Sequence, residues 1–288
     1  MPSVPATPAA PSPAFTAADL QTLDRILTEA AVEEILPRFN RLGANAVRTK
    51  SSAIDLVTDA DEAAEATITA ALTRVFPTAR VIGEEACAAD PTLLDALGEA
   101  SLAFVVDPID GTRNFAAGLP LFGVMAAAVA GGQVVGAVIH DPLGRNSAMA
   151  LRDGGAWLQD TQGEKRRLHV SRPVTEAARM DGYIGLTHLP PPLRQTVAGN
   201  LARLRSPANL RCAAHEYRMA ASGHCDILLY HMLMPWDHAP GWLLHHEAGG
   251  YSAHFDGSPY RPVRRDGGLL CAPDEASWQL AYQALIGS

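Results

Sequence analysis

Leu102-Ala-Phe-Val-Val-Asp-Pro-Ile-Asp-Gly-Thr112 decides the reading of this chain. Its apolar start, residues 102–106, predicts a buried strand, and the polar segment that follows sets two carboxylates and a hydroxyl at the strand's end. Pro108 biases Asp107 towards an extended conformation. Gly111 lets the backbone come close to a ligand, and Thr112 can open a short helix whose free N–H groups suit an anion. The combination points to metal-dependent phosphate chemistry. Taken alone, Asp-x-x-Asp-Gly is more often a polar turn after a strand, so partners elsewhere in the chain have to decide.

Three such partners exist. Glu84 and Glu85 follow a predicted strand at 79–82 through Gly83. Asp61 stands at the start of a helix predicted from about 59 to 74. Asp237 follows Trp236 just before a helical pattern over 238–247, which ends at Gly249.

The chain has 288 residues, 48% of them hydrophobic, enough for one large domain or two closely packed halves. Its formal charge of −8, from 23 basic and 31 acidic residues, argues against non-specific nucleic-acid binding and gives no attraction to anionic lipid. Residues 1–15 are rich in Pro and Ala and read as a flexible tail, since repeated prolines interrupt any signal-like apolar core. The apolar run 119–139 is broken by Gly118, Gly123, Gly131, Gly132 and Gln133, so no segment qualifies as a membrane span, and the expected location is cytoplasmic. Cys87, Cys212, Cys225 and Cys271 are too scattered for a disulfide scaffold and read as buried thiols. Histidines crowd residues 215–246, but the segment crosses a predicted strand and helix and has no thiolate pair, which disfavours zinc.

A helical rhythm fills 16–39 and ends near Pro37. Strand signals then fall at 80–82, 102–106, 124–130, 134–140, 148–151 and 156–158, punctuated by turns of an antiparallel meander. From Pro173 the rhythm alternates: a strand at 182–186, a helix near 193–204, a strand near Leu210, a helix at 213–222, a strand at 226–230, the helix at 238–247, and a terminal strand and helix. The expected organisation is the tail 1–15, an N-terminal α+β half over 16–175 and a C-terminal α/β half over 176–288.

Gly83-Glu-Glu85, Asp107-Pro-Ile-Asp-Gly-Thr112, Trp236-Asp237 and Ala248-Gly-Gly250 occur in an order and spacing that resembles the inositol monophosphatase family, from about Thr16 to the C-terminus. The resemblance implies the α/β (α+β) class and a layered αβαβα sandwich of the inositol monophosphatase and fructose-1,6-bisphosphatase type, with the metal site in the cleft between the halves. It also implies a homodimer that acts on a small phosphorylated metabolite and is inhibited by lithium; from the charge and hydropathy, neither nucleic acid nor membrane is an expected partner.

By the same resemblance, Glu84, Asp107 and the backbone carbonyl of Ile109 hold one Mg2+, and Asp107, Asp110 and Asp237 hold a second. A third, weakly held ion lies near Glu84. All-oxygen ligation suits magnesium, with Mn2+ as a substitute. Thr112, supported by Asp61 and Glu84, activates the attacking water, and Gly111 and Thr112 offer N–H groups to the phosphate. Local sequence supports other readings. Thr58-x-x-Asp61 is equally a capping box, Asp237 alone reads as an N-cap, and Glu85 as a surface or supporting acid. If the four metal-binding acids converge, their repulsion and desolvation cost on the order of several kcal/mol without cations.

The substrate side departs from the family. Inositol phosphatases commonly carry Glu seven residues before the Trp-Asp aspartate, and that position is Tyr230. In place of the usual Gly-Ser/Thr-Ala-Ala, the chain has Arg211 and Cys212 before Ala213-Ala214. Arg211, Ala213, His215 and Tyr230 are the candidate substrate residues, with Glu216 and Tyr217 nearby. Arg211 either meets a second phosphate or carboxylate or pairs with a surface acid. The expected activity is hydrolysis of a small polyol or sugar phosphate. A bisphosphate nucleotidase or a histidinol-phosphate phosphatase is the enzymatic alternative, and a regulatory partner protein the non-enzymatic one.

Overall fold

The computed structural model describes residues 15–43, 46–50 and 56–287. Most of the expected tail lies outside these residues. Phe15, at its end, packs its ring edge-on to Phe104, with centroids 6.1 Å apart.

In chain order the elements are α1 (Ala17–Ala30), β1 (Val47–Thr49), β2 (Leu56–Thr58), α2 (Asp59–Val75), β3 (Arg80–Gly83), α3 (Glu84–Ala89), β4 (Ala103–Asp110), α4 (Thr112–Ala116), β5 (Gly123–Ala130), β6 (Gln133–Asp141), β7 (Asn146–Leu151), β8 (Gly155–Asp160) and β9 (Lys165–Arg167). There follow β10 (Asp181–Ile184), α5 (Pro191–Asn200), β11 (Ser206–Ala208), α6 (Ala213–Ala221), β12 (Ile227–Tyr230), α7 (Pro235–Glu247), β13 (Tyr251–His254), β14 (Leu269–Ala272) and α8 (Glu275–Leu285).

Strands β3 to β9 form a seven-stranded sheet in sequence order, parallel at β3–β4 and antiparallel beyond. The second sheet runs β11-β10-β12-β14-β13. Side-chain alternation divides the layers. Phe104 and Val106 pack with Leu20, Leu27, Ile68 and Leu72 of α1 and α2. Val105, Met125 and Ile139 point the other way and pack with Tyr217, Leu243 and Leu244 of α6 and α7, which also receive Leu228, Leu269 and Cys271 of the second sheet. The far face of that sheet, with Leu229 and Leu270, covers itself with Val197 of α5 and Trp278 and Ala281 of α8. The result is the expected five-layer αβαβα sandwich, with α6 and α7 sandwiched between the sheets.

Several boundaries differ from the sequence reading. The first helix widens into a π-helical turn over Ala31–Ile35. The strand expected near Leu210 lies at Ser206–Ala208, where Pro207 is tolerated because β11 is an edge. Helix α7 begins at Pro235, since proline suits a first helical position, and the single terminal strand is the antiparallel pair β13–β14. Among the described residues, no helix is long and apolar enough to cross a membrane.

Candidate metal centre

The acids of Asp107-Pro-Ile-Asp110 share one face because β4 is bulged. Asp107 pairs with Met125 and Asp110 with Gly123, with a register shift between them. Strict alternation would send Asp107 and Asp110 to opposite faces. The extra residue instead leaves both on the α6/α7 side and turns Ile109 into the core beneath α1 and α2. Pro108, which has no ladder donor, fits such a bulge.

Glu84, at the start of α3, Asp107 on β4 and Asp237 in the first turn of α7 each bring a carboxylate oxygen within 4.8 Å of the others. Among the described residues, they form the one group of at least three side chains suited to a metal ion. Asp107 is buried, and the other two are partly exposed. Burial, then Glu84 and Asp110, push the Asp107 carboxyl well above its ordinary range, and the same causes act on Asp237. Three hard oxygen donors whose charges oppose one another are the donor set a divalent cation relieves. Asp237 is the third residue of α7 and its N-cap is Met234, so it is not the N-cap.

Asp110 stands beside this triad without joining it. Its Oδ2 accepts the Ala214 N–H at 2.6 Å and the Cys212 thiol at 3.0 Å. Burial raises its pKa to about 6 against the pull of those donors. The Ile109 carbonyl accepts the Thr112 hydroxyl at 2.9 Å. Gly111, the N-cap of α4, has a φ of 88°, and a Cβ there would come 2.9 Å from the Leu121 carbonyl oxygen.

Asp61 makes two sets of contacts. Its Oδ2 accepts the Thr58 N–H at 2.8 Å and closes the capping box at the start of α2, while Oδ1 lies 3.1 Å from the Thr112 hydroxyl. Burial raises its pKa to about 6, with the Thr58 hydrogen bonds opposing.

Sequence reasoning passed over two supporting residues. Lys50 Nζ lies 2.8 Å from Glu84 Oε1 and 2.7 Å from Glu85 Oε1. Glu85 is thus an ion-paired, largely buried acid rather than a surface one, and burial and Glu84 push its pKa up to about 8. Lys50 and Lys165 are the only lysines in the sequence, a possible signal in a chain that otherwise uses arginine. Glu65, also buried, accepts the N–H groups of Glu85 and Ala86 at 2.7 and 2.8 Å and so fixes the start of α3. Its signal is an acid on the buried face of α2.

A cavity of about 220 Å³ adjoins Asp110 and Asp237, and Arg211, Ala213 and Tyr230 line it. His215 does not; its Nε2 lies 3.1 Å from the Phe122 carbonyl oxygen, because α6 turns that position towards β5. Glu216 lines the cavity instead, buried to 2% exposure, with the Tyr230 hydroxyl donating to Oε2 at 2.7 Å and Leu210 N–H to Oε1 at 2.8 Å. A larger cavity, about 1020 Å³, also adjoins Asp237 and is lined by Glu84, Lys50, Trp236 and Arg265.

Residues 18–286 match the family model described as the inositol monophosphatase family. The chain is 34% identical over 245 residues to a protein of Pseudomonas aeruginosa named Nus factor SuhB, covering 80% of this chain and 83% of that one. It is 32% identical over 257 residues to a histidinol-phosphatase of Streptomyces coelicolor, covering 82% and 87%. Among solved structures, the extragenic suppressor protein suhB of Bartonella henselae superposes with a TM-score of 0.81 at 26% identity, over 94% of this chain and 99% of that one.

Proposed function

The chain belongs to the inositol monophosphatase family, and from that premise we propose that it is a Mg2+-dependent phosphomonoesterase hydrolysing a small phosphorylated polyol or sugar by direct attack of water. The observation that carries this reading is the meeting of Glu84, Asp107 and Asp237, from three separate elements, at one edge of a cleft. These carboxylates would hold the first ions, with Asp110 and the Ile109 carbonyl beside them. Two or three Mg2+ per site, or Mn2+ in their place, supply Lewis acidity that neutralises the phosphate and makes a water nucleophilic near neutral pH.

The chain's own residues do the positioning. The Thr112 hydroxyl donates to Asp61 or to the Ile109 carbonyl, which leaves a lone pair for a water; as that water gives its proton to Thr112 Oγ1, the hydroxyl's own proton passes to Asp61. Asp61 is fixed by Thr58, so this acceptor cannot drift. Glu65 fixes the first turn of α3, which carries Glu84, by accepting the Glu85 and Ala86 N–H groups. Gly111 and Thr112 place the start of α4 against the phosphate position. Water, not a side chain, takes the phosphoryl group, and lithium competes for a magnesium position. The setting this reading implies is a cytoplasmic homodimer.

Tyr230 in place of the usual Glu favours a substrate other than inositol phosphate. The resemblance to a histidinol-phosphatase keeps an amino-alcohol phosphate in view, and a nucleotide bisphosphate is a further alternative. A regulatory role takes support from the relative named Nus factor SuhB, but the full complement of Glu84, Asp107, Asp110, Thr112 and Asp237 favours turnover. The test is phosphate release from a generic phosphate ester. Mg2+-dependent release that Asp237→Asn abolishes supports the reading; release by that variant at the wild-type rate rejects it.

A further inference from the structure

The geometry points to a second anion subsite beside the metal centre, built from Arg113 and Arg211, so that the substrate is a phosphate ester whose leaving group carries another phosphate or a carboxylate. This rests on the phosphatase reading above and narrows its substrate class. Both arginines line the 220 Å³ cavity that reaches Asp110 and Asp237. Neither forms an ion pair among the described residues, although the chain has more acids than bases. Guanidinium groups recognise phosphate and carboxylate through paired N–H donors.

The segments that present them are tied together. Asn114, fully buried and next to Arg113, donates its amide to the carbonyls of Leu210 at 2.8 Å and Leu121 at 2.9 Å. Arg211 follows Leu210 directly. Its N–H donates to Asn209 Oδ1 at 2.8 Å, and Asn209 reaches the Ile184 carbonyl at 3.2 Å. Arg211 holds a φ of 56°, a left-handed conformation that favours glycine. Glu216 does not offer a cation a free carboxylate in this cavity. Its two oxygens accept Leu210 N–H and the Tyr230 hydroxyl, which makes it a positioning residue for the arginine-bearing loop.

Magnesium-loaded protein is assayed on matched esters: glycerol 2-phosphate, with an uncharged leaving group; 2-phosphoglycerate, which adds a carboxylate; propane-1,3-diol bisphosphate against its monophosphate; and phosphoethanolamine, which adds a cation. The subsite predicts kcat/KM higher for one of the two-anion esters than for its neutral match by about 10- to 100-fold, and the preferred arm says whether carboxylate or phosphate is read. Arg211→Gly, which also suits the left-handed backbone and so keeps Tm equal or higher, erases that ratio, mainly through KM; Arg113→Gln lowers it. Equal efficiency across the set, preference for phosphoethanolamine, or a ratio that survives Arg211→Gly overturns the subsite while leaving the phosphatase intact. If no ester is hydrolysed, the phosphatase reading falls. Calorimetry with the same esters then decides the subsite: weaker binding of the two-anion ester to Arg211→Gly sustains it, and equal binding overturns it.

Discussion

The Thr112 hydroxyl stands 3.1 Å from Asp61 Oδ1, while the other oxygen of that carboxylate is committed to Thr58 at the start of α2. One side chain therefore joins a helix cap to the segment that carries the proposed chemistry. The cap is what makes the acceptor rigid.

Removing the hydroxyl and keeping the shape tests this link. Thr112→Val is expected to lower kcat by about 10²- to 10³-fold, with Thr112→Ser retaining most of it. Asp61→Ala should lose activity and also about 1 kcal/mol of stability, because the cap goes with it. Steady-state kinetics and thermal melts of the three variants check this; a Thr112→Val enzyme with wild-type kcat would remove Thr112 from the chemistry.

Lys50 holds the carboxylate that a divalent cation would need at Glu84. Burial works against the ammonium's charge, but Glu84 and Glu85 outweigh it and raise its pKa. Lys50→Gln is expected to destabilise the metal-free protein by about 1–3 kcal/mol and to enlarge the rise in Tm on adding Mg2+. Melts with and without Mg2+ measure both; an unchanged or smaller rise would show that the ammonium does not oppose the ion.

Local patterns in the sequence made the elements legible, and the family resemblance supplied their stacking and the gathering of the acids. Period-2 and period-3.6 patterns are local, and so are Gly83-Glu84 and the Asp107–Thr112 segment, each of which sits where a strand ends. What the sequence hid is relational. Nothing local shows that β4 gains a residue between Asp107 and Asp110, yet that bulge puts both acids on one face. Lys50 and Glu65 act on a helix start 20 to 35 residues away, and His215 turns to β5 because α6 rotates it there. Asp61 read two ways locally, and it both closes the cap of α2 and meets the Thr112 hydroxyl.

Gly83 lies against the Glu65 carboxylate, which cannot shift without straining its bonds to α3. A Cβ would lie 2.2 Å from the Glu65 carboxyl carbon, so Gly83→Ala should cost about 1–3 kcal/mol through overpacking. Glu65→Ala is destabilising on its own, since two N–H groups at the start of α3 lose their acceptor. Because the two changes share that contact, the double variant should be less destabilised than the sum by about 1 kcal/mol or more. Denaturant unfolding of the four proteins measures the coupling, and strict additivity would contradict it.

Burial raises the Glu216 carboxyl from an ordinary 4.5 to about 7, against the pull of the Tyr230 and Leu210 donors. A folded pKa above the unfolded one means that this group's favourable contribution is complete below about 4.5 and is lost as pH rises through about 7, to a limit of about 3 kcal/mol. Glu216→Gln cannot titrate. Its Tm relative to wild type should therefore improve between pH 5 and pH 8.5, on top of a constant loss from the Tyr230 bond. A difference that does not change with pH would show that Glu216 is not held in this way.

Anomalous diffraction from crystals soaked in Mn2+ tests the centre itself most directly. The structure predicts a manganese peak between Glu84, Asp107 and Asp237, lost in Asp107→Asn. Ordered carboxylates with no peak between them, at Mn2+ concentrations that support phosphate release, would contradict the assignment.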